Sequence, residues 1–340
     1  MKAVGLYKYL PIDAPDSLVD VEIDKPSPTK RELLVSVKAI AVNPVDTKLR
    51  APQDKVEDSP RILGWDAAGV VEAVGPDVSL FKVGDEVFYA GSFTQPGCNS
   101  EFHVVDERIV GNKPKSLDFA QAAALPLTSI TAWESMFDRL GISEEDSESG
   151  KQVLIIGGAG GVGSMATQFV KQLTKLEVTV TASRPESKQW CKDMGVDHII
   201  NHYLDIPEQV HDTGIEGYDY ILCFNDTDEH WLSIAAVIKP QGKICSIVET
   251  AGDVDLGALK SKSATFVWEF MFTRSMYETE DMIEQHNLLN RVSKLVDEGK
   301  IKTTSNKVLQ PINAANLKLA HAEIEARHVI GKIVIQGWNS

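Results

Sequence analysis

Apolar residues come in short alternating runs over the first third of the chain. Lys2–Tyr7 and Leu18–Ile23 have strand length, and Pro26 and Pro28 interrupt the pattern after them. Glu32–Asn43 (ELLVSVKAIAVN) alternates over its whole length, which predicts a longer strand of an antiparallel sheet. Asn43-Pro44-Val45-Asp46 ends it, and Thr47–Arg50 begins a helical turn. Arg61–Val74 is a strand pattern punctuated by glycine, Val83–Phe88 a tight turn into another strand, and Phe102–Val105 one more. Turn residues recur at the spacing of a small barrel-like β domain.

Near Phe119 the period changes. Ala120–Leu125 and Ser129–Leu140 have helical spacing, with Pro126 between them, and the acidic, serine-rich Ser143–Ser149 is expected to be an exposed loop. From Lys151 to about Phe272, strand and helix patterns alternate, with strands at His198–Asn201, Tyr218–Phe224 and Lys243–Val248. That order predicts a doubly wound parallel sheet. Thr265–Phe272 (TFVWEFMF) is apolar enough to form an exposed sheet edge, which invites pairing with a second copy as a homodimer. Asp281–Glu298 predicts a helix with Leu288, Leu289, Val292, Leu295 and Val296 on one face; Ala314–Arg327 predicts another, and Lys332–Ile335 a last strand. The fold class is therefore α/β, a β-rich domain plus a parallel sheet.

The chain is organised around Lys151–Gln168 (KQVLIIGGAGGVGSMATQ). A buried strand, Gln152–Ile156, runs into a glycine turn, and from Ser164 the spacing of Met165, Phe169, Val170 and Leu173 is helical. Gly158, Gly160 and Gly163 satisfy G-x-G-x-x-G. In that order the glycines permit a tight turn, close approach of a pyrophosphate to the backbone, and close packing of helix on strand. The helix N-terminus then faces the phosphates with free N–H groups and a positive dipole end. This predicts dinucleotide binding. The next strand, Val178–Ala182, ends in Ser183, Arg184 and Pro185, with Lys188 one turn on and no carboxylate at its tip. A hydroxyl and two cations suit a 2′-phosphate, where a carboxylate would repel it, so NADP(H) is favoured over NAD(H).

A chain of 340 residues is long enough for two domains. A net charge of −15 argues against nucleic acid and anionic membrane surfaces, and makes the cations at Arg184 and Lys188 stand out. No apolar run approaches the roughly 20 residues of a membrane span, and the N-terminus lacks the apolar core of a signal peptide. Cys98, Cys191, Cys223 and Cys245 have no paired spacing, which fits a reducing, cytoplasmic setting without disulfides.

Ordered motifs then resemble a known family over nearly the whole chain. They are Asn43-Pro44-Val45-Asp46, Leu63-Gly64-Trp65-Asp66-Ala67-Ala68-Gly69-Val70-Val71, Val83-Gly84-Asp85, Ala124-Leu125-Pro126 through Thr131-Ala132-Trp133, the glycine loop, and Gly331-Lys332-Ile333-Val334. The chain resembles the medium-chain dehydrogenase/reductase superfamily, and within it the zinc-free quinone oxidoreductase branch. The resemblance implies a GroES-like catalytic domain from residues 1–124 and 273–340, with a Rossmann domain, residues 125–272, inserted between them. Zinc-dependent relatives supply Cys where this chain has Asn43, Gly-His-Glu where it has Gly64-Trp65-Asp66, and a four-cysteine lobe where it has only Cys98. Asn43 and Trp65 are poor ligands and the eight histidines show no metal-like pairing, so no metal site is expected.

Without a metal, such a site suits an acceptor that takes hydride readily: a quinone, or an alkene conjugated to a carbonyl. The resemblance implies an NADPH:quinone oxidoreductase or enone/alkenal reductase. A zinc alcohol dehydrogenase and a catalytically silent NADP(H)-binding protein are the alternatives. By the same resemblance Asn43 lies near the nicotinamide and the acceptor, or simply ends its strand; Asp46 orients the neighbouring loop. Lys48 falls where several relatives carry Tyr, and is either a cation for enolate charge or a solvated surface residue. Thr128 touches the nicotinamide ribose or caps a helix. Ala159, Gly160, Gly161 and Val162 line the pyrophosphate, and Ser183, Arg184 and Lys188 hold the 2′-phosphate. His202, or Tyr203 after a one-residue shift, lies by the adenosine phosphate. Phe224, Asn225 and Val248 lie at strand ends facing the cofactor crevice. Phe93 and Trp268 are candidate pocket walls.

Overall fold

The computed structural model describes residues 1–144 and 146–339. The chain forms two compact units, one of residues 1–130 and 272–340, the other of residues 131–271.

The first unit begins with β1 (Lys2–Tyr9), β2 (Val19–Glu22), β3 (Glu32–Val42), α1 (Pro44–Arg50), β4 (Gln53–Ile62), β5 (Ala67–Val74), β6 (Glu86–Tyr89), β7 (Phe102–Asp106), β8 (Val110–Asn112), α2 (Phe119–Ala123) and the start of α3 (Pro126–Trp133). Its organising strand is β3. One edge of β3 pairs antiparallel with β5; the other is shared by β7 and by the last strand of the chain. Both faces are covered, so β3 is buried at Leu33, Leu34, Val35, Val37, Ala39 and Ile40. At its end Pro44 opens α1, where its missing N–H costs nothing, and the Asn43 N–H donates to Asp46 Oδ2 at 2.6 Å, tying off the helix start.

The second unit contains β9 (Gln152–Ile156), α4 (Gly161–Leu173), β10 (Glu177–Thr181), α5 (Pro185–Asp193), β11 (His198–Ile200), α6 (Ile206–Asp212), β12 (Tyr218–Cys223), α7 (Thr227–Val237), β13 (Ile238–Ser246) and β14 (Thr265–Trp268). The six strands are parallel, in the order β11-β10-β9-β12-β13-β14. Strand order reverses at β9, flanked by β10 and β12. An open α/β sheet binds its ligand at such a point, beyond the carboxyl ends of the strands. Leu154, Ile156, Ile221, Ile244 and Trp231 pack on one side; Met165, Phe169 and Val170 of α4 are fully buried.

The chain returns to the first unit through α8 (Thr273–Tyr277), α9 (Glu284–Asp297), β15 (Ser305–Leu309), α10 (Ala314–Glu325) and β16 (Lys332–Gln336). The apolar face expected on α9 is buried in full. β16 pairs antiparallel with β3, Ile333 opposite Val42 and Ile335 opposite Ile40. The last strand thus completes the sheet begun near the N-terminus.

Several elements differ from the sequence expectation. Gln53–Ile62 is a strand on β1, although it is polar and mostly exposed and so has no apolar alternation to reveal it. The two helices expected either side of Pro126 are present, but Pro126 belongs to the second, opening α3 three residues earlier than the spacing predicted, and the expected helix up to Leu140 continues as a π-helical segment, Glu134–Arg139. At the apolar edge only Thr265–Trp268 pairs with β13. Among the described residues no helix is long and apolar enough to cross a membrane.

Candidate functional site

In the second unit the glycine turn sits at the switch point. The Gly157 N–H donates to Thr181 Oγ1 at 3.0 Å and the Gly158 N–H to the Thr181 carbonyl at 3.2 Å, which fixes the turn to the end of β10. The glycines differ in what surrounds them. A Cβ at Gly158 would meet Val180 at 2.5 Å, and one at Gly163 would meet the Gly157 carbonyl oxygen at 2.2 Å. Both are needed for close packing. A Cβ at Gly160 would meet only the Gly157 oxygen, at 3.5 Å, so this position opens into free space at the N-terminus of α4. Helix starts leave their first N–H groups without intrahelical partners, and a backbone without side chains there is a cradle for an anion. The residues fit a dinucleotide pyrophosphate.

The neighbouring strand ends bring most of the expected residues to the same edge. Ser183 and Arg184 follow β10, and Lys188 lies on the first turn of α5; all three are partly exposed. His202 follows β11, whose Ile200 carbonyl accepts the Ala182 N–H at 2.9 Å. Its ring lies 6.4 Å from that of buried His230, which stands on α7 and was not read from the sequence. Burial pulls both imidazoles below the usual histidine range, and for His202 the His230 ring adds to it. Tyr203 is mostly exposed. The Phe224 N–H donates to the Ile156 carbonyl at 3.0 Å, setting Asn225 beside Gly157. Val248 follows β13, and its carbonyl accepts from Thr227 Oγ1.

The first unit holds a second constellation, at the corner between β3 and α1. Asn43, Asp46, Asp66 and Lys332 are all nearly inaccessible to solvent. Lys332 Nζ donates to Asp66 Oδ2 at 2.9 Å, to the Val42 carbonyl at 3.0 Å and to Asn43 Oδ1. Asn43 Nδ2 donates to Asp66 Oδ2 at 2.9 Å and to the Trp65 carbonyl at 3.2 Å. Asp66 Oδ1 accepts the Leu127 N–H at 2.8 Å. Three ammonium protons meet three acceptors and both amide protons of Asn43 are used, so these groups hold each other rather than face outward. Thr128 lies beside this cluster through Leu127. Its hydroxyl donates back to the Leu125 and Ala124 carbonyls at 3.1 and 3.4 Å, and since α3 starts at Pro126 it is not a helix cap. Lys48 is on the exposed side of α1.

A family model described as alcohol dehydrogenase GroES-like domain matches residues 29–116, and one described as zinc-binding dehydrogenase matches residues 194–335. A zinc-type alcohol dehydrogenase-like protein of Staphylococcus epidermidis is 45% identical over 337 residues, 98% of this chain and 99% of its own. The chain belongs to the medium-chain dehydrogenase/reductase superfamily. A solved structure from Rhizobium etli CFN 42, named for zinc-dependent alcohol dehydrogenase, is 50% identical, covers 100% of this chain and 99% of its own, and superposes with a TM-score of 0.96. An NADPH-dependent alkenal/one oxidoreductase of Arabidopsis thaliana is 29% identical over 312 residues, 89% of this chain and 72% of its own.

Within this superfamily a dinucleotide cofactor is expected, and the glycine cradle fits it. A catalytic zinc does not fit. It wants three N, S or O ligands and an open position. Asn43 offers an amide already bonded to its neighbours, Trp65 an indole, and Asp66 a carboxylate already paired with an ammonium. No group of three or more His, Cys, Asp or Glu suited to a metal occurs among the described residues. Lys332 was legible only as part of a closing motif. Its partner Asp66 is 266 positions away, and nothing local announces the pair.

Electrostatics of the cluster follow from its charges. Asp66 and Lys332 offset each other, so an ionised Asp46 would leave a net buried negative charge. Burial pushes the Asp46 carboxyl from 3.8 up to about 7, against the pull of the Asn43 N–H and of Lys332. The folded protein then keeps a proton that the unfolded chain has released. Stability attributable to Asp46 therefore falls as pH rises from the ordinary aspartate range to about 7, and is level above it. Asp46→Asn is expected to gain stability over wild type at pH above about 7 and to lose that gain near about pH 4. Urea unfolding at the two pH values checks this; a difference independent of pH contradicts it.

Proposed function

We propose that this chain is an NADPH-dependent reductase of quinones or α,β-unsaturated carbonyls that works without zinc. The observation that carries it is Lys332, whose ammonium is locked among Asn43, Asp66 and the Val42 carbonyl at the positions where zinc-dependent relatives place ligands. Such a site lacks the Lewis acid that alcohol oxidation uses to stabilise an alkoxide. A conjugated acceptor needs less help, because its own π system spreads the developing charge. The Arabidopsis thaliana relative, an NADPH-dependent alkenal/one oxidoreductase, supports this substrate class and NADPH.

Bound NADPH would supply the hydride. The protein's part is binding and orientation. Gly158, Ala159, Gly160, Gly161, Val162 and Gly163 would take the pyrophosphate on backbone N–H groups. Ser183, Arg184 and Lys188 would hold the 2′-phosphate, with His202 beside them; Phe224, Asn225 and Val248 would border the crevice. Asn43 acts as a positioning residue, since its amide is spent on Asp66, Trp65 and Lys332 and has no proton left for a substrate. A proton from a side chain or from water would complete the reduction, and the exposed Lys48 supplies at most surface charge. Steady-state turnover of a naphthoquinone, a linear enal and a simple ketone, each with NADPH and NADH, tests the reading. It stands on quinone or enal turnover that prefers NADPH, and falls if only the ketone is reduced or if NADH is preferred.

We also place this enzyme as a homodimer formed along β14, and extend to it the cytoplasmic setting inferred from its cysteines. β14 is the open edge of the six-stranded sheet; its last residue, Trp268, is 47% exposed and Phe270 just after it is 44% exposed. Trp268→Lys is expected to halve the mass seen by sedimentation, to the 37.3 kDa of one chain. A wild-type protein that is already monomeric contradicts the dimer.

A further inference from the structure

In the second unit the ends of β12 and β13 are joined by hydroxyls. Thr227, the first residue of α7, and Ser246, the last of β13, are both fully buried. Their oxygens lie 2.6 Å apart, and Thr227 Oγ1 also bonds the Val248 carbonyl. Each hydroxyl has one proton and the carbonyl has none. Thr227 therefore donates to Val248 and accepts from Ser246, a one-way chain that ends on Val248. Val248 is where ordinary strand pairing runs out. The ladder between β12 and β13 stops at Cys223 opposite Ser246, and the Ile247 N–H still donates to the Cys223 carbonyl at 3.3 Å. Beyond that, the first turn of α7 holds the chain: Thr227 bonds the Val248 carbonyl, and Asp228 Oδ2 accepts the Ala251 N–H at 2.8 Å. The turn that delivers Thr227 is itself constrained. Asp226 has a φ of 28°, which L residues rarely adopt, and its Oδ1 accepts the Glu229 N–H at 3.1 Å. Such a conformation persists only where its surroundings fix it, and such positions cluster at functional sites.

We propose that Thr227 is a positioning residue for the reaction: through the Val248 carbonyl it fixes the backbone against which the nicotinamide ring of the cofactor would lie. This rests on the reductase reading above and deepens it. The course of the cofactor follows from the sheet. β10 and β12 flank β9, whose end carries the glycine cradle. Ser183, Arg184 and Lys188 would take the 2′-phosphate, and with it the adenosine half, to the end of β10. The nicotinamide half would then run the other way, to the ends of β12 and β13. Thr227 is itself inaccessible, so it acts through Val248 and not on the ring directly. A small displacement of that ring lowers the rate of hydride transfer more than it lowers binding, because the phosphates are held elsewhere.

The test compares wild type with Thr227→Val and Thr227→Ser. Valine keeps the β-branched shape and removes the proton. Ser246 can then turn its own proton to the Cys223 carbonyl at 3.3 Å, so the variant is expected to fold. NADPH affinity and the emission of the bound nicotinamide are read by fluorescence, and turnover with 1,4-naphthoquinone. Thr227→Val is expected to lower kcat about tenfold and to shift the nicotinamide emission, while the NADPH dissociation constant moves less than about twofold. Thr227→Ser should restore both rate and emission. Unchanged kcat and emission in Thr227→Val overturn the proposal, as does a loss that serine does not restore or one matched by an equal loss of NADPH affinity. Should Thr227→Val not fold, Thr227→Cys, whose thiol is a weak donor, carries the same expectations. If wild type shows a nicotinamide emission that Thr227→Val alters but reduces no acceptor, positioning stands and the reductase reading fails; quinone turnover without any Thr227 effect does the reverse.

Discussion

Replacing Lys332 with methionine is expected to cost about 3–5 kcal/mol of stability, the usual penalty for stranding one partner of a buried ion pair. Asp66 is fully buried and would be left without its cation, while Asn43 Oδ1 and the Val42 carbonyl would each lose a donor. Asp66→Asn strands the ammonium instead and should cost a similar amount. The double variant, Lys332→Met with Asp66→Asn, removes both charges while leaving an amide oxygen to accept the Leu127 N–H. It should therefore cost clearly less than the sum of the single variants, because the two residues share one interaction. Urea denaturation of the four proteins gives the coupling. Strict additivity would show that Lys332 and Asp66 do not act as a pair and would remove the physical reason for excluding a metal from this corner.

Gly160→Val is expected to abolish cofactor binding, by more than about 100-fold, while leaving the protein folded. The position has extended backbone geometry that valine accepts, and a Cβ there meets nothing closer than 3.5 Å. Its branches would enter the space at the start of α4 that a pyrophosphate needs. The cost to folding is that of a poor helix cap, about 1 kcal/mol. Gly163→Val is the contrasting variant. Its Cβ would fall 2.2 Å from a backbone oxygen, so it should lower stability by about 3 kcal/mol or more through overpacking. Titration with NADPH and thermal unfolding separate the two. If both variants lose stability alike and bind alike, Gly160 is a packing glycine and the cradle is misassigned.

Local features of this chain were open to reading and distant ones were not. The strand, glycine turn and helix around Gly158–Gly163 depend on residues next to one another, and their physical requirements appear in the residue types themselves. The parallel sheet followed from alternating periods, and the apolar face of α9 from helical spacing. β4 was missed because an exposed strand has no apolar side to alternate. The corner of Asn43, Asp66 and Lys332 was missed because it forms only when β16 pairs with β3, bringing the two ends of the sequence together. Asn43 looked available for chemistry as a lone residue after a strand, and only its partners show that both of its amide protons are taken. His230 stands near His202 because α7 follows β12, a proximity no spacing rule contains.

The most direct test of the account is NADPH oxidation by metal-stripped protein with a naphthoquinone as acceptor, run beside untreated and zinc-supplemented samples. Equal rates are expected in all three, with NADPH used in preference to NADH. Activity lost on stripping and restored by zinc would contradict it, and would mean that Lys332 gives way to a metal at Asn43 and Asp66.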